Sequence, residues 1–325
     1  MSSPADPVPA PPSVSPVVVR RLAWSTLVFT TAIVVISGAV VRATDSGAGC
    51  GESWPRCDGR LFPLSTGGAT AVEFSHRLLT AALFVALLAL IVVVRRHHPR
   101  DHRVRRALNW SLVFFFGEVL IGAVLVLFGW VEDDASAGRA IAVTIHLVNT
   151  FFLIGAMTLM AHFSSGGAGF RPSLARKRDR LALIGAATVL IVAASGALNA
   201  LADTLYPAGS VIDGVRAELV PDAPFLLRLR TIHPVVAVGG AGLLFILTRA
   251  PSMAGPGVVR RRGAAVQIIL GVQIMIGIVN VALLTPLEIQ VLHLLTADLL
   301  WIMWVLYGTE AIAAWEARTH AVEMT

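Results

Sequence analysis

Residues 72–94 read VEFSHRLLTAALFVALLALIVVV. From Leu78 onward the run is almost wholly apolar, and with its flanks it has the length, about 20 residues, that a helix needs to cross a hydrocarbon core. Yet Glu73, His76 and Arg77 stand within its first two turns. Ionisable groups at the edge of a membrane span are costly there, so three together mark a place where chemistry is expected.

The rest of the chain has the same character. Its 325 residues are 56% hydrophobic and 14% charged, too apolar for a water-soluble chain of this length and expected of a multi-pass membrane protein. Apolar runs of spanning length begin near Leu22, Phe74, Ala107, Ala140, Leu181, Leu229, Gly263 and Glu288, which makes eight. The net charge of +6 lies in short runs between these segments and not in a basic module, which argues against nucleic acid as a partner. The linkers after the second, fourth and sixth runs hold RRHHPRDHRVRR, RPSLARKRDR and RAPSMAGPGVVRRR, whereas EDDASAGR and TPLE follow the third and seventh. By the positive-inside rule both termini are cytoplasmic, and loops 43–72, 131–139 and 202–228 face outward. The first and third of these are long enough to cap the outer ends of the bundle. The first nineteen residues, MSSPADPVPAPPSVSPVVV, are Pro-rich and lack Lys and Arg, so they read as a disordered tail and neither a transit peptide nor a signal sequence.

The halves echo each other. ISGAVVRATDSGAG after the first run is matched by ASGALNALADTLYPAG after the fifth, and GEVLIGAVLVLFG in the third by GVQIMIGIVNVALL in the seventh. The expected fold is all-α: eight spans as two similar four-helix units related by an axis along the membrane normal. The units cover residues 20–165 and 181–310, with a basic linker at 166–180 and a cytoplasmic tail at 311–325. Ser-Gly pairs are also common as packing contacts between membrane helices, so the echo alone does not decide this.

Histidines strengthen it. His97, His98 and His102 lie in a basic loop, and His162 and His320 lie near cytoplasmic ends. The other four, His76, His146, His233 and His293, each fall near the outer end of an even-numbered span, at about 5–10 Å below the boundary by helical rise. His76 maps onto His233, and TIHLVNTFFLI around His146 maps onto VLHLLTADLLWI around His293. A single membrane histidine is often only a hydrogen-bonding residue between helices; four at matching positions point to one two-histidine site per half. Zinc or copper usually takes three or four protein ligands, and no Cys or carboxylate stands at suitable spacing beside His233 or His293. A haem brings four nitrogens and asks only for axial ligands, so two imidazoles on apolar helices suit it. Its propionates need cations near the water: Arg77, Arg228 and Arg230 are the candidates, each of which could instead be an interfacial arginine with its head in water.

Where the halves differ, chemistry is expected. Glu73 occupies the place of Arg230, one turn before the histidine. It could simply pair with Arg77 four residues on, or serve as the acid-base group that a proton-coupled oxidation requires. Glu118, whose repeat partner is Gln273, and Asp298 are supporting candidates, or hydrogen-bonding residues between helices. Cys50 and Cys57, in CGESWPRC, are the only cysteines. On an oxidising outer face they are expected to form a disulfide, either a structural staple or a redox-active pair.

CGESWPRCDG in the first outer loop, EFSHR opening the second span, and single histidines in spans four, six and eight together resemble the haem A synthase family, over residues 20 to 307. The resemblance implies an enzyme that oxidises a methyl group of haem O to a formyl group through a hydroxymethyl intermediate. It implies that His76 and His146 flank the substrate haem, that Glu73 is the catalytic carboxylate, and that His233 and His293 ligate a resident haem b. It also brings in, as expected partners, the farnesyltransferase that makes haem O and factors of cytochrome oxidase assembly. Some members carry a second cysteine pair in the third outer loop, which has none here. The competing readings are a two-haem cytochrome b passing electrons from quinol to an outer acceptor, and a haem transporter or sensor. Preference for Arg over Lys and the lack of a transit signal point to a bacterial plasma membrane.

Overall fold

The structure, a computed structural model, describes residues 16–63, 67–250 and 253–323. Most of the stretch read as a disordered tail therefore lies outside the described residues, and its last four residues are already helical from Pro16. Among the described residues eight helices are long and apolar enough to cross a membrane: Val17–Ala43, Gly68–His97, Arg103–Leu127, Ala137–Ser164, Lys177–Leu205, Phe225–Arg249, Gly257–Ala282 and Leu287–Ala317, called spans 1 to 8. The chain is a multi-pass, all-helical membrane protein. Each helix begins up to six residues before the apolar run that announced it, its first turn being more polar than the run itself. Ser136 accepts the Arg139 amide at 3.2 Å and opens span 4. Span 8 continues as helix to Glu323, through the segment expected as a tail.

Neighbour relations repeat along the chain. Spans 1 and 2, 2 and 3, 3 and 4, and 1 and 4 pack together, and so do 5 and 6, 6 and 7, 7 and 8, and 5 and 8. The two groups meet where span 4 packs on spans 5 and 8 and span 1 on spans 5 and 8. Tryptophans close this contact. Trp301 Nε1 donates to the Phe151 carbonyl at 2.6 Å with its ring over Gly155, whose missing side chain leaves it room. Within the second group Trp304 Nε1 donates to Ala182 O at 3.1 Å over Gly185. Burying indole rings with the N–H satisfied combines a large contact area with no orphaned donor.

Two helices depart from regularity. Span 1 contains a π-turn, Thr30–Val35, which ends two residues before Ser37. Span 6 is interrupted at Thr231, between Phe225–Arg230 and Ile232–Arg249. Pro234 explains the second, since its ring conflicts with the carbonyl four residues back and supplies no N–H. In the loop between spans 1 and 2 Cys50 and Cys57 form a disulfide, and the loop between spans 5 and 6 folds into a short helix, Val211–Leu219, capped by Ser210.

Candidate functional site

The four histidines lie eight, nine, eight and six residues inside the outer ends of spans 2, 4, 6 and 8, about 9–14 Å deep by helical rise. They share a level somewhat below the expected one, because the helices start earlier.

Each half seats its first histidine in the same way. Ser37 Oγ donates to Val34 O at 2.7 Å and lies 2.7 Å from His76 Nδ1. Ser195 Oγ donates to Val192 O at 2.8 Å and lies 3.0 Å from His233 Nδ1. A serine has one proton, and here it is committed to a carbonyl, so each imidazole must donate from Nδ1 and keep its lone pair on Nε2. The following glycines make the fit possible. A Cβ on Gly38 would stand 3.0 Å from His76 Cε1, and one on Gly196 3.1 Å from His233 Cε1. The repeated Ser-Gly pair is thus an imidazole seat, a role the sequence signalled by its recurrence but did not explain.

His146 Nδ1 lies 3.0 Å from Glu118 Oε2, and Glu118 also accepts from Thr150 Oγ1 at 3.0 Å and from Asn149 Nδ2. His146 Nδ1 is buried and makes no aligned hydrogen bond among the described residues, so its contact with Glu118 is a close approach of ring and carboxylate. His76 is within electrostatic reach of both His146 and Glu118. In the second half the equivalent pair is Gln273 and His293, with Gln273 Nε2 3.2 Å from His293 Nε2. Gln273 Oε1 and His293 Nδ1 are buried without a hydrogen-bond partner among the described residues. The rings of His233 and His293 have centroids 6.4 Å apart and are nearly perpendicular. Two imidazoles on one ion, each at the roughly 2 Å usual for histidine nitrogen, bring their ring centres to about 6 Å. The separation of the two rings is thus that of two imidazoles sharing one ion, with His293 Nε2 here facing Gln273. Among the described residues no group of three or more His, Cys, Asp or Glu could hold a metal ion, so a bound ion would have to bring its other ligands with it, as a haem does.

Glu73 is 4% exposed. Its Oε2 accepts the Cys50 amide at 2.7 Å, and its Oε1 pairs with Arg77 at 2.5 Å. Arg77 also donates to Ser53 O at 3.0 Å and Arg56 O at 2.7 Å. The two residues clamp the disulfide loop onto span 2. The loop also presses in at Gly49, where a Cβ would come within 2.3 Å of the Ala69 carbonyl carbon. Arg230, at the equivalent place, pairs with Glu218 at 2.5 Å and Asp203 at 3.4 Å, holding the helix Val211–Leu219 over the second half. Arg228 donates to Pro221 O. Charges of opposite sign thus do the same work in the two halves, each fastening an outer loop above a histidine pair.

Sequence reasoning passed over Arg42. At the outer end of span 1 it donates to Ala200 O at 2.6 Å, Thr204 Oγ1 at 2.7 Å and Gln290 Oε1 at 2.9 Å, tying the first group to spans 5 and 8. Asp298 is fully buried in span 8, and neither of its oxygens has a hydrogen-bond partner among the described residues.

Comparison with known proteins places this geometry. The profile of the COX15-CtaA family, described as cytochrome oxidase assembly protein, matches residues 20–305. A protein of Thermus thermophilus named protoheme IX farnesyltransferase is 37% identical over 302 residues, 93% of this chain and 50% of its own length. Proteins named heme A synthase are similar over shorter stretches. That of Lysinibacillus sphaericus is 36% identical over 112 residues, 34% of this chain and 36% of its own, and that of Bacillus pumilus 38% over 102 residues, 31% and 33%. The chain therefore spans about half the length of the curated relative that it matches almost throughout. The chain belongs to the COX15-CtaA family of cytochrome oxidase assembly proteins.

Proposed function

We propose that this protein is a haem A synthase, oxidising a methyl group of haem O to a formyl group by way of a hydroxymethyl intermediate. The observation that carries the reading is the doubled imidazole seat, Ser37-Gly38 against His76 and Ser195-Gly196 against His233, each opposite a second histidine of the same half. It supports an internal duplication with one porphyrin site per half. The family and the name of the shorter relatives supply the reaction. The Thermus relative is matched over only half its length; we assign the farnesyl transfer in its name to the unmatched half. One polypeptide would then carry two consecutive steps, and the farnesyltransferase that makes haem O is a fitting partner for this chain.

The first half is the reactive one. His76 and His146 would hold the substrate macrocycle in register, with Ser37 directing the His76 lone pair and the Glu118 carboxylate close beside His146. Taking a methyl to an aldehyde removes four electrons in two rounds and releases protons. Glu73, one turn outward from His76, is the carboxylate that accepts these protons or offsets positive charge growing on the substrate carbon. Arg77 and the Cys50 amide set its position, and the disulfide loop above it keeps bulk water out. In the second half His233 and His293 would hold a resident haem b, which would supply one-electron transfer. Arg230 and Arg228 are the cations nearest for its propionates, and Arg230 would have to exchange Glu218 or Asp203 for one of them. The outer face is then that of a bacterial plasma membrane with both termini on the cytoplasmic side.

Extraction and mass analysis of the pigments in purified protein tests this reading. Haem b together with haem O or its oxidised derivatives is expected. Haem b as sole pigment, at two per chain, would instead favour an electron-carrying cytochrome b.

A further inference from the structure

Asp298 is the buried acid for which the chemistry above has no use. It is 0% exposed, and both carboxylate oxygens lack a hydrogen-bond partner among the described residues. It lies five residues below His293 and three above Trp301, whose indole bonds span 4. That places it on the face of span 8 that meets the first group of helices, between the span of His146 and the histidine pair of the second half. By helical rise it is about 16 Å from the outer end of span 8.

The spans packed on span 8 offer few charges at that depth. Span 1 brings Arg42, bound to Gln290 near the outer end. Span 4 brings Arg139 near its outer end, His146 at a similar depth, and His162 at its far end; span 5 brings Asp203 outside and Arg178 and Asp179 inside. Span 7 brings Arg260, Arg261 and Arg262 at its inner end, with Arg262 paired to Glu310 of span 8 at 3.3 Å. Glu288 stands at the outer start of span 8. Of these neighbouring groups only His146 and His293 lie near the level of Asp298, and neither is bonded to it.

A carboxylate buried without hydrogen bond or counter-charge is strongly disfavoured, so Asp298 is neutral unless positive charge appears nearby. The resident haem b, on which this argument rests, offers such a charge: with two neutral imidazoles its core is net positive when ferric and neutral when ferrous. We infer that Asp298 is a proton-binding site linked to the oxidation state of the second-half iron. With haem b reduced, the Asp298 carboxylate would take up one proton and become the carboxylic acid; with haem b reoxidised by an external one-electron acceptor, it would release that proton. Asp298 touches neither substrate nor iron, and acts by keeping the net charge between the two sites constant as electrons pass.

The test is a redox titration of the haem b spectrum in the purified, pigmented protein at a series of pH values, for the wild type and for Asp298→Asn and Asp298→Glu. The wild-type midpoint potential is expected to fall as pH rises. Asp298→Asn should remove most of that slope, and Asp298→Glu should restore it. Redox-difference infrared spectra should show a protonated-carboxyl band in the wild type that is absent from Asp298→Asn. An unchanged slope in Asp298→Asn, or a wild-type potential independent of pH, overturns the inference while leaving the synthase reading intact. Protein that retains no haem b at all overturns both.

Discussion

The imidazole of His146 and the carboxylate of Glu118 stand 3.0 Å apart across spans 4 and 3. A carboxylate behind a histidine fixes its tautomer and increases its basicity toward a metal, and such outer partners typically change metal affinity by roughly 10–100-fold. In the second half the neutral amide of Gln273 takes the place of Glu118, but it meets His293 at Nε2 and not at Nδ1. The more strongly donating histidine thus belongs to the half read as reactive.

Glu118→Ala is therefore expected to weaken porphyrin retention at the first site by about 10–100-fold while leaving the second-site pigment in place. Glu118→Gln, which copies the second half, should lie between. Pigment stoichiometry per chain after purification reads this directly; equal loss from both sites would contradict it.

Ser195→Ala removes the acceptor of the His233 Nδ1 proton and Ser37→Ala that of His76. Each leaves a donor without its partner, at a cost of about 1–3 kcal/mol. Ser195→Ala should lower haem b content and shift its absorption bands, and Ser37→Ala should act on bound substrate alone. The two spectra, taken side by side, check that the seats are independent.

Glu73→Gln is expected to retain both pigments and to stall at haem O or its hydroxymethyl derivative, as seen by mass analysis of extracted haem. Undiminished haem A would remove Glu73 from the chemistry. Because Glu73 also holds the Cys50 amide, the variant should in addition expose the disulfide to faster reduction, measured by thiol labelling.

Loss of the Cys50–Cys57 bridge opens a short loop, for which chain entropy gives about 2.5 kcal/mol. Cys50→Ser/Cys57→Ser should unfold earlier in thermal melts in detergent if the bridge is a staple. Unchanged melting with lost turnover would mark it as a redox pair.

Gly185→Val should disturb the core, since even a Cβ there would fall 1.8 Å from the Trp304 ring. Overpacking of this kind costs roughly 1–3 kcal/mol. Lower thermal stability with the first-half pigment retained is the expected result, and an unaltered melt would mean that the indole can move aside.

Sequence alone determined the eight spans, that the four histidines share one level though not its depth, and the pairing of the two cysteines, because hydropathy, helical rise and closeness along the chain act on local stretches and need no partner. It also placed Glu118 opposite Gln273 in the repeat. It could not say what the Ser-Gly pairs do, that Glu73 and Arg230 both fasten outer loops, or that Arg42 joins the two groups of helices. Those depend on which faces of distant helices meet, and in lipid that is decided by close packing and interhelical hydrogen bonds, not by a hydrophobic pattern legible along one segment. The isolation of Asp298 is of the same kind: a residue's type is written in the chain, but the lack of a partner is a property of everything packed around it.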